Sequence, residues 1–245
     1  MPVIDYFETL DRFGLLDLKS GGDLQIKDGD IATTRDGDLK LGDDRFNALF
    51  RLVQRWRLNE SAIGDLFAHT EVYAQRLTQV MGERSNGIGP SLGRDPEAFH
   101  EITDVIGESE SGASVFAGSI LVVMNNLLQR FKLDLNVSRE KWCSSAPHFS
   151  GHSLGEVVAA AAANFRHHDE WASSPQPNNQ QMASMNILAP ILGVPPVNER
   201  GFRTIRSNVC REILEALSAG SIEQLHSHLF KFAQNLADKS STSIS

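Results

Sequence analysis

The segment of this chain richest in chemically active side chains lies near its middle, between Ser150 and Ala172. It reads SGHSLGEVVAAAAANFRHHDEWA, an apolar stretch that ends in amide, guanidinium, imidazole and carboxylate groups. Adjacent imidazole and guanidinium groups are typical of acid–base catalysis and of phosphate binding. The segment is therefore the candidate site, and its pattern predicts a single helix.

The helical spacing divides the polar end of this segment between two faces. Asn164 and His168 are four residues apart and share one face, while His167 and Trp171 lie on the adjoining face. A run of five alanines before them would let a neighbouring helix approach closely. His167 or His168 could then act as general acid and base in a cleft, with Arg166 beside them. In the structural alternative, both histidines bind the last helical carbonyls and Trp171 fills the core.

We expect no metal and no cofactor. Neighbouring side chains on a helix point about 100° apart, so His167, His168 and Glu170 are poorly arranged to share one ion. The two cysteines, Cys143 and Cys210, have no spacing typical of a metal site or of a disulfide framework.

The run AAANFRHHDEW, residues 161–171, resembles a signature of uncharacterised bacterial helical proteins linked to phage defence or toxin systems and to the HEPN superfamily. HEPN ribonucleases are helical bundles that pair, so that an arginine and a histidine four to six residues apart converge from two chains. Arg94 and His100, with five residues between them, match that spacing, whereas Arg166 directly precedes His167 and departs from it. The resemblance implies metal-independent cleavage, in which histidine takes the ribose 2′-hydroxyl proton and arginine holds the phosphate.

The hexapeptide GHSLGE, Gly151 to Glu156, resembles the nucleophile motif of acyl-carrier-protein acyltransferases. In that family, a buried strand delivers the serine to a sharp turn. Here the preceding KWCSSAPHFS offers no such strand, and the β/α alternation of that fold is absent. Ser153 followed three residues later by Glu156 also fits a capping box. We predict that Ser153 caps the helix, and a nucleophilic Ser153 remains the alternative.

Three arginines spaced by three residues form a candidate nucleic-acid contact: Arg200, Arg203 and Arg206. They fall near the start of a helix predicted over Asn198–Ala219, where basic side chains oppose the helix dipole and could instead hold phosphate. The alternative is an exposed helix face that nearby glutamates partly neutralise.

The first 44 residues hold eleven acidic and five basic residues, and Asp-Gly pairs separate short alternating runs. Such pairs are typical of tight hairpin turns, so this segment predicts a small β-meander. From Asp44 onward, apolar residues recur at helical spacing and predict two helices with a break near Asn59. Asp95 and Pro96 then begin a long central helix that reaches Lys132.

These patterns predict a mainly α fold, a helical bundle with a short N-terminal β-meander. We divide the chain into an acidic β-hairpin segment (1–44), a helical domain (45–238) and a disordered tail (239–245). Its 245 residues, 41% of them hydrophobic, are enough for a substantial core. We expect no membrane span, because the apolar run Ile120–Met124 is followed directly by Asn125. With two cysteines and no apolar leader, we expect a reduced, cytoplasmic protein.

The net charge of −8 does not favour nucleic acid through the average field, yet sixteen arginines can still form local phosphate contacts. The resemblance of residues 161–171 to HEPN-like proteins implies a toxin or antiviral defence protein that binds and cleaves RNA. We expect it to form a homodimer and to have a protein partner or antitoxin. Two alternatives stay open: a non-enzymatic helical interaction, regulatory or phage-related protein, and a serine acyltransferase.

Overall fold

The structure is a computed structural model, and it describes residues 11–12, 23–34, 37–85, 89–90, 94–173, 177–196 and 205–241. Most of these residues are helical, so the predicted mainly α fold is confirmed. The helices are α1 (Asp44–Ser85), α2 (Pro96–Leu135), α3 (Arg139–Ser144), α4 (Leu154–Ser173), α5 (Asn179–Leu188), α6 (Cys210–Ser218) and α7 (Ile222–Ser241). The strands are β1 (Ile26–Lys27), β2 (Asp30–Ile31), β3 (His148–Phe149) and β4 (His152–Ser153).

The predicted N-terminal meander is present. β1 and β2 pair antiparallel around a turn at Asp28 and Gly29, whose φ angles of 54° and 86° are both positive. Turns of that kind match the twist of a hairpin, and glycine adopts them without strain. Bridges from Leu24 to Leu41 and from Thr33 to Leu39 add a third extended run.

The chain divides into two compact units. The first comprises the described residues within Met1–Glu60, Met124–Val157 and Glu223–Ser245. The second comprises those within Ser61–Val123 and Val158–Ile222. The helical domain predicted as one piece over 45–238 is therefore shared between two units.

Aromatic side chains build the core of the first unit. Trp56 of α1 is fully buried, and the ring of Phe230 lies edge-on to it with 6.0 Å between centroids. Trp142 of α3 meets Phe232 of α7 in the same way at 5.1 Å. A β-carbon on Gly155 would overlap the ring of Trp142, so only glycine lets the start of α4 approach this ring. Burial of such large rings supplies most of the stabilisation of a core this size.

Small residues let the helices of the second unit approach each other closely. A β-carbon on Gly118 of α2 would overlap the ring of Phe165 of α4. Ala160, Ala161 and Ala162 of α4 are buried. Close backbone approach therefore fixes the position of α4 in this unit.

Several predicted helix boundaries differ from those of the structure. α1 continues through Asn59 without a break. The side-chain amide of Asn59 donates to the Arg55 carbonyl one turn earlier at 2.8 Å, so its hydrogen bond lies within the helix. Residues 205–209, which fall within the helix predicted over Asn198–Ala219, are not helical, and the helix that follows them is Cys210–Ser218. Residues 197–204 lie outside the described residues. α7 continues to Ser241 and so includes the first three residues of the tail predicted at 239–245.

Among the described residues, one helix, α2, is long and apolar enough over 18 residues to cross a membrane. Half of that stretch is buried inside the structure, and the core helix of a soluble protein passes the same test.

Candidate functional site

The GHSLGE segment forms a hairpin that leads into α4. Ser150 and Gly151 occupy the turn with φ angles of 49° and 89°, and β3 and β4 flank it. The single helix predicted from Ser150 therefore begins only at Leu154, because two positive φ angles in succession are incompatible with a right-handed helix.

Ser153 caps this helix, as predicted. Its hydroxyl accepts from the Glu156 amide at 3.3 Å, and the Glu156 carboxylate accepts from the Ser153 amide at 3.0 Å. The hydroxyl also donates to that carboxylate at 3.0 Å, and Ser153 is completely buried. A buried hydroxyl bound to a carboxylate is unsuited to attack an acyl donor, so this geometry does not favour an acyltransferase.

Cys143 lies next to the same carboxylate in the first unit. Burial raises the pKa of the Cys143 thiol, and the Glu156 carboxylate raises it further against the opposing charge of Arg139. Burial also acts to raise the pKa of Glu156, but hydrogen bonds from Ser153 and Cys143 and the nearby His152 lower it overall. The thiol therefore stays protonated and donates a hydrogen bond, in contrast to a catalytic thiolate.

Asn164 has a structural position in the second unit. It is completely buried, its amide donates to the Ser207 carbonyl at 3.0 Å, and its oxygen accepts from the Val209 amide at 3.0 Å. The side chain thereby ties α4 to the non-helical residues before α6. This corrects its assignment as a catalytic residue, because both of its polar groups are engaged away from solvent.

Cys210 completes this buried contact. Its sulfur lies 3.5 Å from the Ala161 carbonyl and 3.9 Å from the Asn164 side-chain oxygen. Burial, with a contribution from Glu212, raises the pKa of the Cys210 thiol to about 12. The thiol is thus a neutral donor within the core.

The contacts of His168 favour the structural alternative, in which the ring binds a helical carbonyl, over a role in acid–base catalysis. Its Nδ1 lies 3.2 Å from the Phe165 carbonyl of the preceding turn, and its Nε2 lies 3.4 Å from an Asp169 oxygen. With Nδ1 protonated, the ring donates to a backbone carbonyl of its own helix. Arg166 is exposed on α4.

His167 differs from His168 because it borders a cavity, together with the Glu170 carboxylate that it contacts. Its Nδ1 lies 3.2 Å from the Glu170 carboxylate, and the side chains are 48% and 67% exposed. The cavity, of about 130 Å³, lies between α4 and α5. His167 and Glu170 line this cavity. It is also lined by Ala163, Trp171, Asn178, Gln180, Gln181 and Ser184.

The first turn of α5 forms the polar wall of this cavity. Asn178 and Gln181 form a reciprocal capping box, with both bonds at 2.9 Å. A helix N-terminus carries partial positive charge and exposes amide donors. The cavity therefore brings together an imidazole–carboxylate pair and a weakly electropositive wall.

The other predicted site residues do not join this cluster. Arg94 and His100 are exposed around the start of α2, where the His100 ring lies edge-on to Phe99 at 6.0 Å. Within the described part of the chain, no hydrogen bond or ion pair links them to His167. Arg206 is exposed in the extended stretch before α6. The predicted phosphate contacts at Arg200 and Arg203 lie outside the described residues.

His226, in the first unit, lines a larger cavity of about 480 Å³ together with Arg12 and Lys231. Its ring lies edge-on to Trp56 at 4.4 Å, and the residue is 7% exposed. Burial lowers the pKa of His226, and the Arg12 guanidinium lowers it further, although Glu60 and Glu223 oppose this. Its main visible role is in packing against Trp56.

No family model, no curated protein and no solved structure matches this chain.

Sequence reasoning missed the contact between His167 and Glu170. The signal was available, because residues three apart share a helix face. The α5 half of the cavity was harder to foresee, since Asn178, Gln180 and Gln181 belong to the stretch SSPQPNNQQ, whose prolines and polar residues are typical of a loop.

Proposed function

We propose that this protein is a metal-independent ribonuclease of the HEPN-like defence or toxin type, with His167 as its proton-accepting residue. The observation that carries the proposal is the His167–Glu170 pair at the edge of the cavity between α4 and α5. The resemblance of residues 161–171 to HEPN-like proteins of defence systems supports the same function.

The proposed reaction is internal transfer of a phosphodiester. With Nδ1–H donating to Glu170, the Nε2 lone pair of His167 accepts the proton of the ribose 2′-hydroxyl. The 2′ oxygen forms a bond to phosphorus while the bond from phosphorus to the 5′ oxygen breaks. The leaving oxygen takes up a proton from water, and the products carry a 2′,3′-cyclic phosphate and a 5′-hydroxyl.

Glu170 and Arg166 have supporting roles in this proposal. The Glu170 carboxylate orients the His167 ring and stabilises the imidazolium that forms. Arg166 is exposed one residue before His167 and supplies positive charge for the phosphate. The amides at the start of α5 favour an anion on the opposite side of the cavity.

The test uses 5′-labelled single-stranded RNA incubated with purified full-length protein in excess EDTA. We expect cleavage by the wild type, and a His167→Gln variant should lose it by about 100-fold or more, the usual contribution of a general base. His168→Gln is the matched control and should stay within threefold of the wild type. DNA of the same sequence should survive, because it lacks the 2′-hydroxyl. Absence of cleavage by the wild type, or equal cleavage by His167→Gln, would overturn the proposal.

A further inference from the structure

The first unit contains another cavity, of about 510 Å³, that none of the residues assigned above lines. Three elements of this unit contribute to it: the meander with Thr33, Thr34 and Lys40, the first turns of α1, and the last turns of α2. Ligand pockets typically measure about 300–1,000 Å³, so this cavity is large enough for a small molecule. Its polar groups indicate which kind.

Asn47 of α1 places a buried amide in the lining of this cavity. The residue is 1% exposed, and its side-chain oxygen accepts from the Leu41 amide at 3.2 Å. That bond fixes which way the side-chain amide faces, because a reversed amide would set two donors against each other. Among the described residues, no hydrogen bond engages the NH2 group of Asn47. A buried donor ordinarily has an acceptor in the protein, in water or in a ligand, so Asn47 favours a ligand with acceptor oxygens.

Two cations in the lining favour a ligand that carries negative charge. Lys40 is bound to Asp44 at 3.2 Å, which engages one of the three N–H donors of its ammonium group. Arg130 of α2 is exposed and carries five donors on its guanidinium group. Ammonium and guanidinium groups are the side chains that most often hold a phosphate group.

The carboxylates near these cations reduce the positive charge without cancelling it. Asp134 is the one carboxylate of the described lining, and Arg55 binds it at 2.6 Å. The two lining cations and Arg55 outnumber Asp134 and Asp44 by one. Other carboxylates of the meander, such as Asp28 and Asp30, lie outside the lining and are exposed, where solvent and salt screen them. The cavity therefore favours an anion of small charge.

The remaining lining groups favour a ligand that also carries hydroxyl groups. The Thr34 hydroxyl accepts from the Asp38 amide at 3.1 Å and keeps its own hydrogen to donate. Asp134 binds Arg55 through Oδ2, so Oδ1 can accept from a ligand hydroxyl. Leu133 is the one aliphatic side chain in the described lining, and none of these lining residues is aromatic. A flat apolar group such as a nucleobase would find no ring on which to stack.

We infer that this cavity binds a phosphorylated sugar. The phosphate group is held by Lys40 and Arg130, and the sugar oxygens bond to the Asn47 amide, the Thr34 hydroxyl and the Asp134 carboxylate. The inference is independent of the ribonuclease proposal, whose residues belong to the second unit.

The experiment is isothermal titration calorimetry of the full-length protein with glucose 6-phosphate and with ribose 5-phosphate. We expect saturable binding of at least one of them, with an affinity that falls as salt rises. Inorganic phosphate should bind at least about tenfold more weakly, because it lacks the hydroxyl contacts, and glucose should show no measurable binding.

Two variants test the lining residues directly, with folding verified by urea titration. Arg130→Gln removes a cation from the exposed end of α2 and should weaken binding by about tenfold or more. Asn47→Asp keeps the oxygen that accepts from Leu41 but removes the NH2 group, and it should weaken binding by a similar factor. Arg139→Gln is the matched control, because it removes an exposed arginine of α3 in the same unit that is not in the lining, and it should bind within twofold of the wild type.

Four results would overturn the inference. Neither sugar phosphate binds, or inorganic phosphate binds as tightly as they do, which would mean a site for the ion alone. Arg130→Gln binds as tightly as the wild type, which would place the ligand elsewhere. Finally, a 2′-O-methyl RNA oligonucleotide, which the proposed reaction cannot cleave, displaces the sugar phosphate, since the occupant would then be a nucleic-acid backbone.

Discussion

Replacing Asn164 with alanine is expected to destabilise the second unit, because the side chain holds two backbone groups of another segment. The amide of Val209 would lose its acceptor and the carbonyl of Ser207 its donor, each now bonded at 3.0 Å. A partly buried amide left without a partner costs about 1–3 kcal/mol. Ser207 is exposed, so water can replace the donor to its carbonyl at a smaller cost.

The two contributions together predict a loss of about 2–3 kcal/mol in the free energy of unfolding. For a chain of this size, that corresponds to a fall in Tm of roughly 4–12 °C. Urea titration measures the free energy of unfolding. Hydrogen exchange shows which segment is destabilised, since the backbone amides of residues 205–218 should exchange faster in the Asn164→Ala variant.

The matched control for this experiment is Asn59→Ala. The Asn59 amide bonds only to the Arg55 carbonyl of its own helix, so its removal should change stability by less than about 0.5 kcal/mol. If Asn164→Ala unfolds at the same urea concentration as the wild type and exchanges normally in 205–218, the structural role assigned to Asn164 is refuted.

Three further perturbations test other parts of the structure. Ser153→Ala removes the helix cap and should cost about 1 kcal/mol in urea titration while leaving RNA cleavage unchanged. Gly118→Ala places a methyl group against the Phe165 ring and should lower stability by about 1–3 kcal/mol, whereas Gly107→Ala meets no atom within 4 Å and should not. Because the pKa of His226 in the folded protein lies below its ordinary value of 6.5, this histidine binds a proton more readily in the unfolded chain than in the folded protein. Stability should therefore fall as pH drops through about 6.5, and urea titrations between pH 8 and 5.5 should show a smaller fall for His226→Gln.

Each of these expectations has a result that contradicts it. An unchanged stability of Ser153→Ala, accompanied by loss of an acyl-transfer activity, would return the serine to a nucleophilic role. Equal stabilities of the two glycine variants would mean that Phe165 can move away from α2 without cost. Parallel pH profiles for the wild type and His226→Gln would place the proton uptake at other groups.

Local chemistry made several elements predictable from the sequence. The cap formed by Ser153 and Glu156, the start of α2 after Asp95 and the Asp-Gly turn at Asp28 each depend on residues within a few positions of one another. The alanine run likewise indicated helix packing, and Ala160, Ala161 and Ala162 are buried.

The remaining features depend on partners far away in the sequence. Residues 205–209 were predicted to be helical but are not, and Asn164, more than forty residues earlier, binds their backbone at Ser207 and Val209. The cavity at His167 likewise needs α5, whose first turn lies in a stretch with the prolines and polar residues that are typical of a loop. Tertiary hydrogen bonds and packing determine both the non-helical stretch before α6 and the cavity beside α5, and such contacts leave no periodic signal in the sequence.

The most direct test of the proposed chemistry is the single-turnover rate of RNA cleavage in EDTA, measured with the enzyme in excess and with folding of each variant verified by urea titration. We predict that His167→Gln slows cleavage by about 100-fold or more, that Glu170→Gln slows it less, and that His168→Gln leaves it unchanged. A folded His167→Gln variant that cleaves RNA at the wild-type rate would contradict the assignment of His167 as the general base.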